Sequence, residues 1–198
     1  VVAAAALVAD VRLERTFRLR IDGKEVEITT GQELAVACAH ADGKTHAITV
    51  SESPLQRFVR KGLQFTYPSA CTVTFDEAGE ELAVSVRHPE GPDLKLHRMP
   101  SEVDLRDSLA RHAATLVTML KTGGGSQIQE SEVSAAIAGA AVPGRQISCL
   151  LLEEARVTEI YYFARAGRSI RVSMDYGVEQ ARQAQELFDA VAPTLALE

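Results

Sequence analysis

The amino-acid sequence predicts an α+β fold in which an antiparallel β-sheet is flanked by two main helices and preceded by β-hairpins. Apolar side chains recur at every second position over residues 17–96 and again over 147–174, the rhythm of strands with one buried face. They recur at spacings of three and four in only two segments, 105–120 and 178–191, the rhythm of an amphipathic helix. Short breaks such as Asp22-Gly23 and Ala166-Gly167 separate successive strand runs, which favours hairpin neighbours over long crossovers.

The elements follow in order. Phe17, Leu19 and Ile21 alternate with Arg18 and Arg20, Asp22-Gly23 supplies a tight turn, and Val26 and Ile28 continue on a return strand. After a break at Gly31-Gln32, Leu34, Val36 and Cys38 form a further strand. Asp42-Gly43 turns the chain, and Ile48 and Val50 follow, so residues 16–52 read as two successive hairpins. Residues 54–62 read as a connector whose Leu55, Phe58 and Val59 suit a single helical turn, and the next strand, from Leu63 to Tyr67, is stopped by Pro68. Cys71, Val73 and Phe75 share one face, then Leu82, Val84 and Val86, then Leu94 and Leu96, with turns at Gly79 and at His88-Pro89-Glu90-Gly91-Pro92.

At Pro100-Ser101 the period changes. Ser101 is placed to cap a helix and Asp104 to answer it three residues later; Leu105, Leu109, Ala113, Leu116 and Leu120 form the stripe, and Gly123-Gly124-Gly125 ends it. Residues 127–138 are weakly patterned. Pro143-Gly144 leads into residues 145–152, where apolar side chains crowd both faces, as in a central strand covered on both sides. Residues 157–165 make the next strand, Ile170, Val172 and Met174 alternate with Arg171, Ser173 and Asp175, and a closing helix from about Gly177 carries Val178, Ala181, Ala184, Phe188 and Val191 towards Pro193.

No Pro-, Ser- or charge-rich linker divides the chain, so residues 1–15 read as an N-terminal extension and 16–198 as one domain, with 16–52 a hairpin extension and 63–197 its core. The opening Val1-Val2-Ala3-Ala4-Ala5-Ala6-Leu7, with its Ala-x-Ala spellings, is similar to the end of a signal peptide and too short to span a bilayer. Export to the periplasm or cell envelope is therefore expected, with the cytoplasm as the alternative.

The formal net charge is −6, with acids and bases interleaved, so no broad positive field exists for phosphates and nucleic acid is not an expected partner. Cys38, Cys71 and Cys149 lack the close pairing of a zinc or CxxC site. They read as buried thiols, with one disulfide plus a thiol as the alternative. The chain contains no Asn, which excludes N-glycosylation.

Several features together are similar to a known architecture. They are the strand ending in Tyr67-Pro68, the strand from Cys71 to Phe75, a long helix after strands, the Gly144-Arg145 strand entry, Tyr161-Tyr162-Phe163 followed by Gly167-Arg168, and a closing helix with Phe188 before a hydrophobic tail. The order resembles the PsbP-like α/β/α sandwich superfamily, including DcrB-like bacterial members, over residues 63–197. The resemblance implies a sheet flanked by helices that binds proteins, assembles or serves the envelope, and it implies no catalytic residues.

Candidate chemistry is sparse. Gly123-Gly124-Gly125-Ser126 follows a helix instead of preceding one and has no lysine after it, the reverse of a phosphate loop. No GxSxG occurs, and Ser148-Cys149 falls in a strand expected to be buried. Neighbours on a strand face opposite ways, so Tyr161 and Tyr162 cannot both point inward; Tyr161, Tyr162 and Tyr176 are the candidate partner contacts. The sequence thus predicts a non-catalytic binding or scaffolding domain that presents a sheet face or edge to a protein or envelope component, with no cofactor or metal. Two alternatives stand beside it: a small hydrolase or metal-dependent enzyme using His88 and His97 with Asp93 and Glu90, and a carrier of a small apolar ligand.

Overall fold

Among the described residues strands form where the two-residue rhythm predicts them, and also in places where it does not. The computed structural model describes residues 15–21, 24–29, 48–99, 101 and 103–197. Expectations for residues 1–14, for the Asp22-Gly23 turn and for the strand and turn within 30–47, Cys38 included, lie outside the described residues.

Strands β1 (Thr16–Ile21), β2 (Lys24–Thr29) and β3 (Ile48–Glu52) make an antiparallel sheet in the order β2-β1-β3. Strand β4 (Leu55–Arg60) replaces the helical turn expected at 54–62 and pairs with β5 (Leu63–Pro68). Its register corrects the sequence reading: Gln56 and Phe58 face inward, while Leu55 and Val59 are 44% and 56% exposed. The amide nitrogen of buried Gln56 donates to the carbonyls of Thr16 and Ser53, and its oxygen accepts from the Thr16 N–H at 2.7 Å, which ties β1 to β4.

The main sheet contains β6 (Thr72–Ala78), β7 (Glu81–Arg87), β8 (Asp93–Met99), β9 (Ser126–Ile137), β10 (Ala140–Leu151), β11 (Glu154–Arg165) and β12 (Arg168–Gly177). Their order is β6-β7-β8-β12-β11-β10-β9, with every pair antiparallel. Helix α1 (Leu105–Thr122) carries the chain from β8 to the far edge, and three hairpins bring it back until β12 lies beside β8. The weakly patterned residues 127–138 are therefore a long edge strand. The helix start also differs from the expected Ser101: Asp104 is the N-cap and accepts from the Asp107 N–H at 2.9 Å.

Helix α1 packs on β9, β10 and β11, seating Leu109 and Ala113 on Ile147, Ile160 and Tyr162. On the opposite face lie helix α2 (Ala181–Val191) and the small sheet β13-β5-β4, in which β13 is Ala196–Leu197. There Phe58, Phe65, Leu187, Val191 and Leu195 meet Val84, Leu96, Val172 and Met174 in the larger core. Cys71 and Cys149 are free, buried thiols, and burial pushes Cys71 up to about 11. Among the described residues no helix is long and apolar enough to cross a membrane.

Candidate functional site

Alternation along β11 decides which side chains reach the space beneath α2. Glu159 and Tyr161 point to the α2 face, and Ile160 and Tyr162 to the α1 face. Beside them Met174 and Tyr176 on β12, and Val133 and Ala135 on β9, complete the floor and one wall. Ala181, Ala184, Gln185, Phe188 and Asp189 of α2 form the other wall, and Ala192 and Pro193 close one end. Because Ala181 and Ala184 are small, the helix does not fill the space, and a cleft of about 440 Å³ remains, within the range of small-ligand pockets.

The polar centre of this cleft is the Glu159 carboxylate. Tyr161 Oη donates to its Oε2 at 2.7 Å, and its Oε1 accepts from Tyr176 Oη at 2.9 Å and from Gln146 Nε2 at 3.1 Å. Burial and the carboxylate beside them raise both tyrosine hydroxyls well above their ordinary value, so they stay protonated donors at any physiological pH. The Tyr161 ring lies against β10 where Gly144 has no side chain: a Cβ there would stand 2.4 Å from the ring. On its other side the ring meets Phe188, with centroids 5.6 Å apart.

Tyr161 and Tyr162 do face opposite ways, and a helix covers each face, so the two are only 3% and 7% exposed. Tyr161 and Tyr176 come together on Glu159, while Tyr162 lies across the sheet. There the Tyr162 hydroxyl stands 3.0 Å from His112 Nδ1, and Arg171 Nη1 stands 3.3 Å from the same nitrogen. A guanidinium only donates, so a hydrogen bond from Arg171 requires His112 Nδ1 as its acceptor, on an imidazole that carries its proton on Nε2. Burial first, then Arg171 and His97, hold His112 below its ordinary value. Tyr162 also walls a second cleft, of about 420 Å³, with Leu105, Leu109, Ala110 and Pro143 as its apolar surface and Arg106, Glu132 and Arg145 at its polar rim.

The proposed histidine and carboxylate group is not assembled in one place. Asp93 and His97 lie four residues apart on β8, about 13 Å along the strand. Asp93 is engaged by Ser85, Arg87 and Lys95, and His97 Nε2 lies 3.4 Å from Glu81. His88 Nδ1 accepts from the Glu90 N–H in the turn before β8, and Glu90 accepts from Gln180 and Gln183 next to α2. Among the described residues no three His, Cys, Asp or Glu side chains are grouped to hold a metal ion.

Sequence reasoning missed Glu159 and Gln146, although a signal was present. Glu159 stands in phase with Val157, Tyr161 and Phe163, a charged residue on the buried beat of a strand.

The fold so described is PsbP-like. It is similar to the solution structure of cyanobacterial PsbP (CyanoP) from Synechocystis sp. PCC 6803, with a TM-score of 0.50 at 15% identity, covering 73% of this chain and 93% of that one. It is also similar to the crystal structure of LpqN, involved in cell envelope biogenesis of Mycobacterium tuberculosis, with a TM-score of 0.43 at 12% identity, covering 68% and 82% of the two chains. No protein-family model matches the chain, and no curated protein matches its sequence.

Proposed function

We propose that the protein is a non-catalytic binding domain, exported to the cell envelope, whose ligand site is the cleft between α2 and β9, with Tyr161 and Tyr176 as contact residues. The observation that carries this reading is the carboxylate of Glu159 held by three neutral donors at 2.7, 2.9 and 3.1 Å. A general base needs a lone pair aimed at a substrate proton, and a nucleophile needs a neighbouring base. Here three of the carboxylate's four lone-pair positions are occupied and the phenols stay protonated, an arrangement that fixes a charge in position.

Native mass spectrometry of protein purified from its own host, compared with Tyr161→Ala and Tyr176→Ala variants, tests the binding reading. A bound small molecule lost from both variants is expected. Turnover in a broad esterase and phosphatase screen, abolished by a cleft substitution, overturns it.

A second reading has its own support. The cleft beneath α1 is walled by Leu105, Leu109, Ala110 and Pro143, a surface suited to a small apolar ligand. Co-purified lipid displaced by Leu109→Trp is its expected signature.

A further inference from the structure

We infer that the α2 cleft seats an organic cation, the ammonium group of an alkylamine or of a lysine side chain. The inference deepens the binding reading above and rests on it. Charge is the first argument. Glu159 and Asp189 both line the cleft, and no Lys, Arg or His does. The hydrogen-bonding partners of Glu159 are two phenols and an amide, and that of Asp189 is the amide of Gln185 at 2.8 Å, so among the described residues neither carboxylate meets a cation. A carboxylate in a partly enclosed space keeps its hydration shell only in part, and neutral donors replace the lost hydrogen bonds without balancing the charge. An incoming ammonium supplies that balance; a carboxylate or phosphate meets repulsion.

Ring faces are the second argument. Tyr176 and Phe188 border the same space, and the negative faces of aromatic rings attract ammonium groups once water is excluded. The third is the pair Ala181 and Ala184 on α2, whose small side chains leave room for the methylenes of the cation's chain. A neutral alcohol would gain that last contact and a hydrogen bond, without the balance of charge.

The chain has four tyrosines and no tryptophan, and two of the four line this cleft, so intrinsic fluorescence reports on it directly. Titration with n-hexylamine and hexyltrimethylammonium is expected to give a Kd of about 1 mM or tighter, with 1-hexanol and hexanoate at least about tenfold weaker. Glu159→Gln is expected to weaken the ammonium probes by at least about tenfold and to leave 1-hexanol unchanged. Should that variant fail to fold, Asp189→Asn on the exposed surface of α2 carries the test, with a loss of about threefold. A capped lysine peptide beside hexylamine separates the two sources of the ammonium, the tighter of them naming the natural one.

Equal affinity for hexanol, hexanoate and the amines, with amide shifts confined to the cleft residues in the nitrogen-15 spectrum, overturns the cation and leaves the binding reading intact. No shift at the cleft with any probe, in protein whose native mass spectrum shows no bound molecule, overturns both.

Discussion

Gly144 is a position where a single methyl group decides the shape of the candidate site. A Cβ there would lie 2.4 Å from the Tyr161 ring and 2.7 Å from the Ile160 carbonyl, and the second of these is backbone that does not yield. Gly144→Ala is therefore expected to lift Tyr161 off β10 towards the cleft and to cost about 1–3 kcal/mol in urea unfolding, with new Tyr161 ring shifts as the accompanying sign. A loss below about 0.5 kcal/mol with unmoved shifts refutes the packing argument. On the other face, His112 links stability to pH. Its imidazole titrates below the ordinary 6.5 because it is buried and because Arg171 and His97 stand close. The unfolded chain thus binds that proton more readily, so its contribution is intact at neutral pH and declines as pH falls below 6.5 towards the folded value. Unfolding at about pH 7.5 and about pH 5.5 should show a loss that His112→Gln reduces. The glycine was legible in the sequence only as a strand entry, since its reason is a ring seventeen positions away across a strand pair.

Among the elements, the β10–β11 hairpin carries a strain that the fold does not need. Leu152 and Glu153 both take left-handed backbone, with φ of 52° and 69°, and Leu152 is 86% exposed, so no packing compensates. Leu152→Asn with Glu153→Gly supplies the residues a two-residue turn of this hand favours, and a gain of about 1–2 kcal/mol in thermal or urea unfolding is expected. At the other end of the range, Asp104→Ala removes the cap of α1 and should cost about 1 kcal/mol by the same measurement, whereas Ser101→Ala should change little. The periodicity gave β5 to β8, β11, β12 and both helices because each has one apolar face. It lost β4, whose inward beat pairs Phe58 with the polar Gln56 serving as a backbone clamp, while Leu55 and Val59 face outward. It lost β9 because the apolar residues change sides: Ile128 packs with α1, while Val133, Ala135 and Ile137 pack in the larger core. An edge strand that meets a different layer at each end has no single period to read. The same reasoning explains why Leu152 passed for strand: its apolar side chain continues the run of Leu150 and Leu151 into a turn that only the backbone defines.

At the scale of the whole molecule the sheet separates two cores of unequal size, and the cleft with Glu159 lies on the larger side. Helix α2 buries Ala184, Leu187 and Val191 within its 11 residues, and the chain continues into the same core through Ala192, Leu195 and Leu197 before β13 pairs with β5. Helix α1 is 18 residues long and fully buries only Leu109 and Ala113, in a core of five buried residues. Opening α1 exposes less apolar surface, since its Leu105, Leu116, Val117 and Leu120 are only partly buried, whereas opening α2 also uncovers the small sheet and the floor of the main one, so the two helices should open at different free energies. Hydrogen exchange read by mass spectrometry is expected to show α1 amides exchanging through a sub-global opening that depends weakly on urea, and α2, β8 and β12 amides exchanging only with global unfolding. Equal protection of the two helices, with one shared urea dependence, refutes this division. If it holds, the arrangement has a functional consequence: a cleft whose roof moves only when the protein unfolds presents Glu159 and its tyrosines already in place, and the ordering cost of binding there is small.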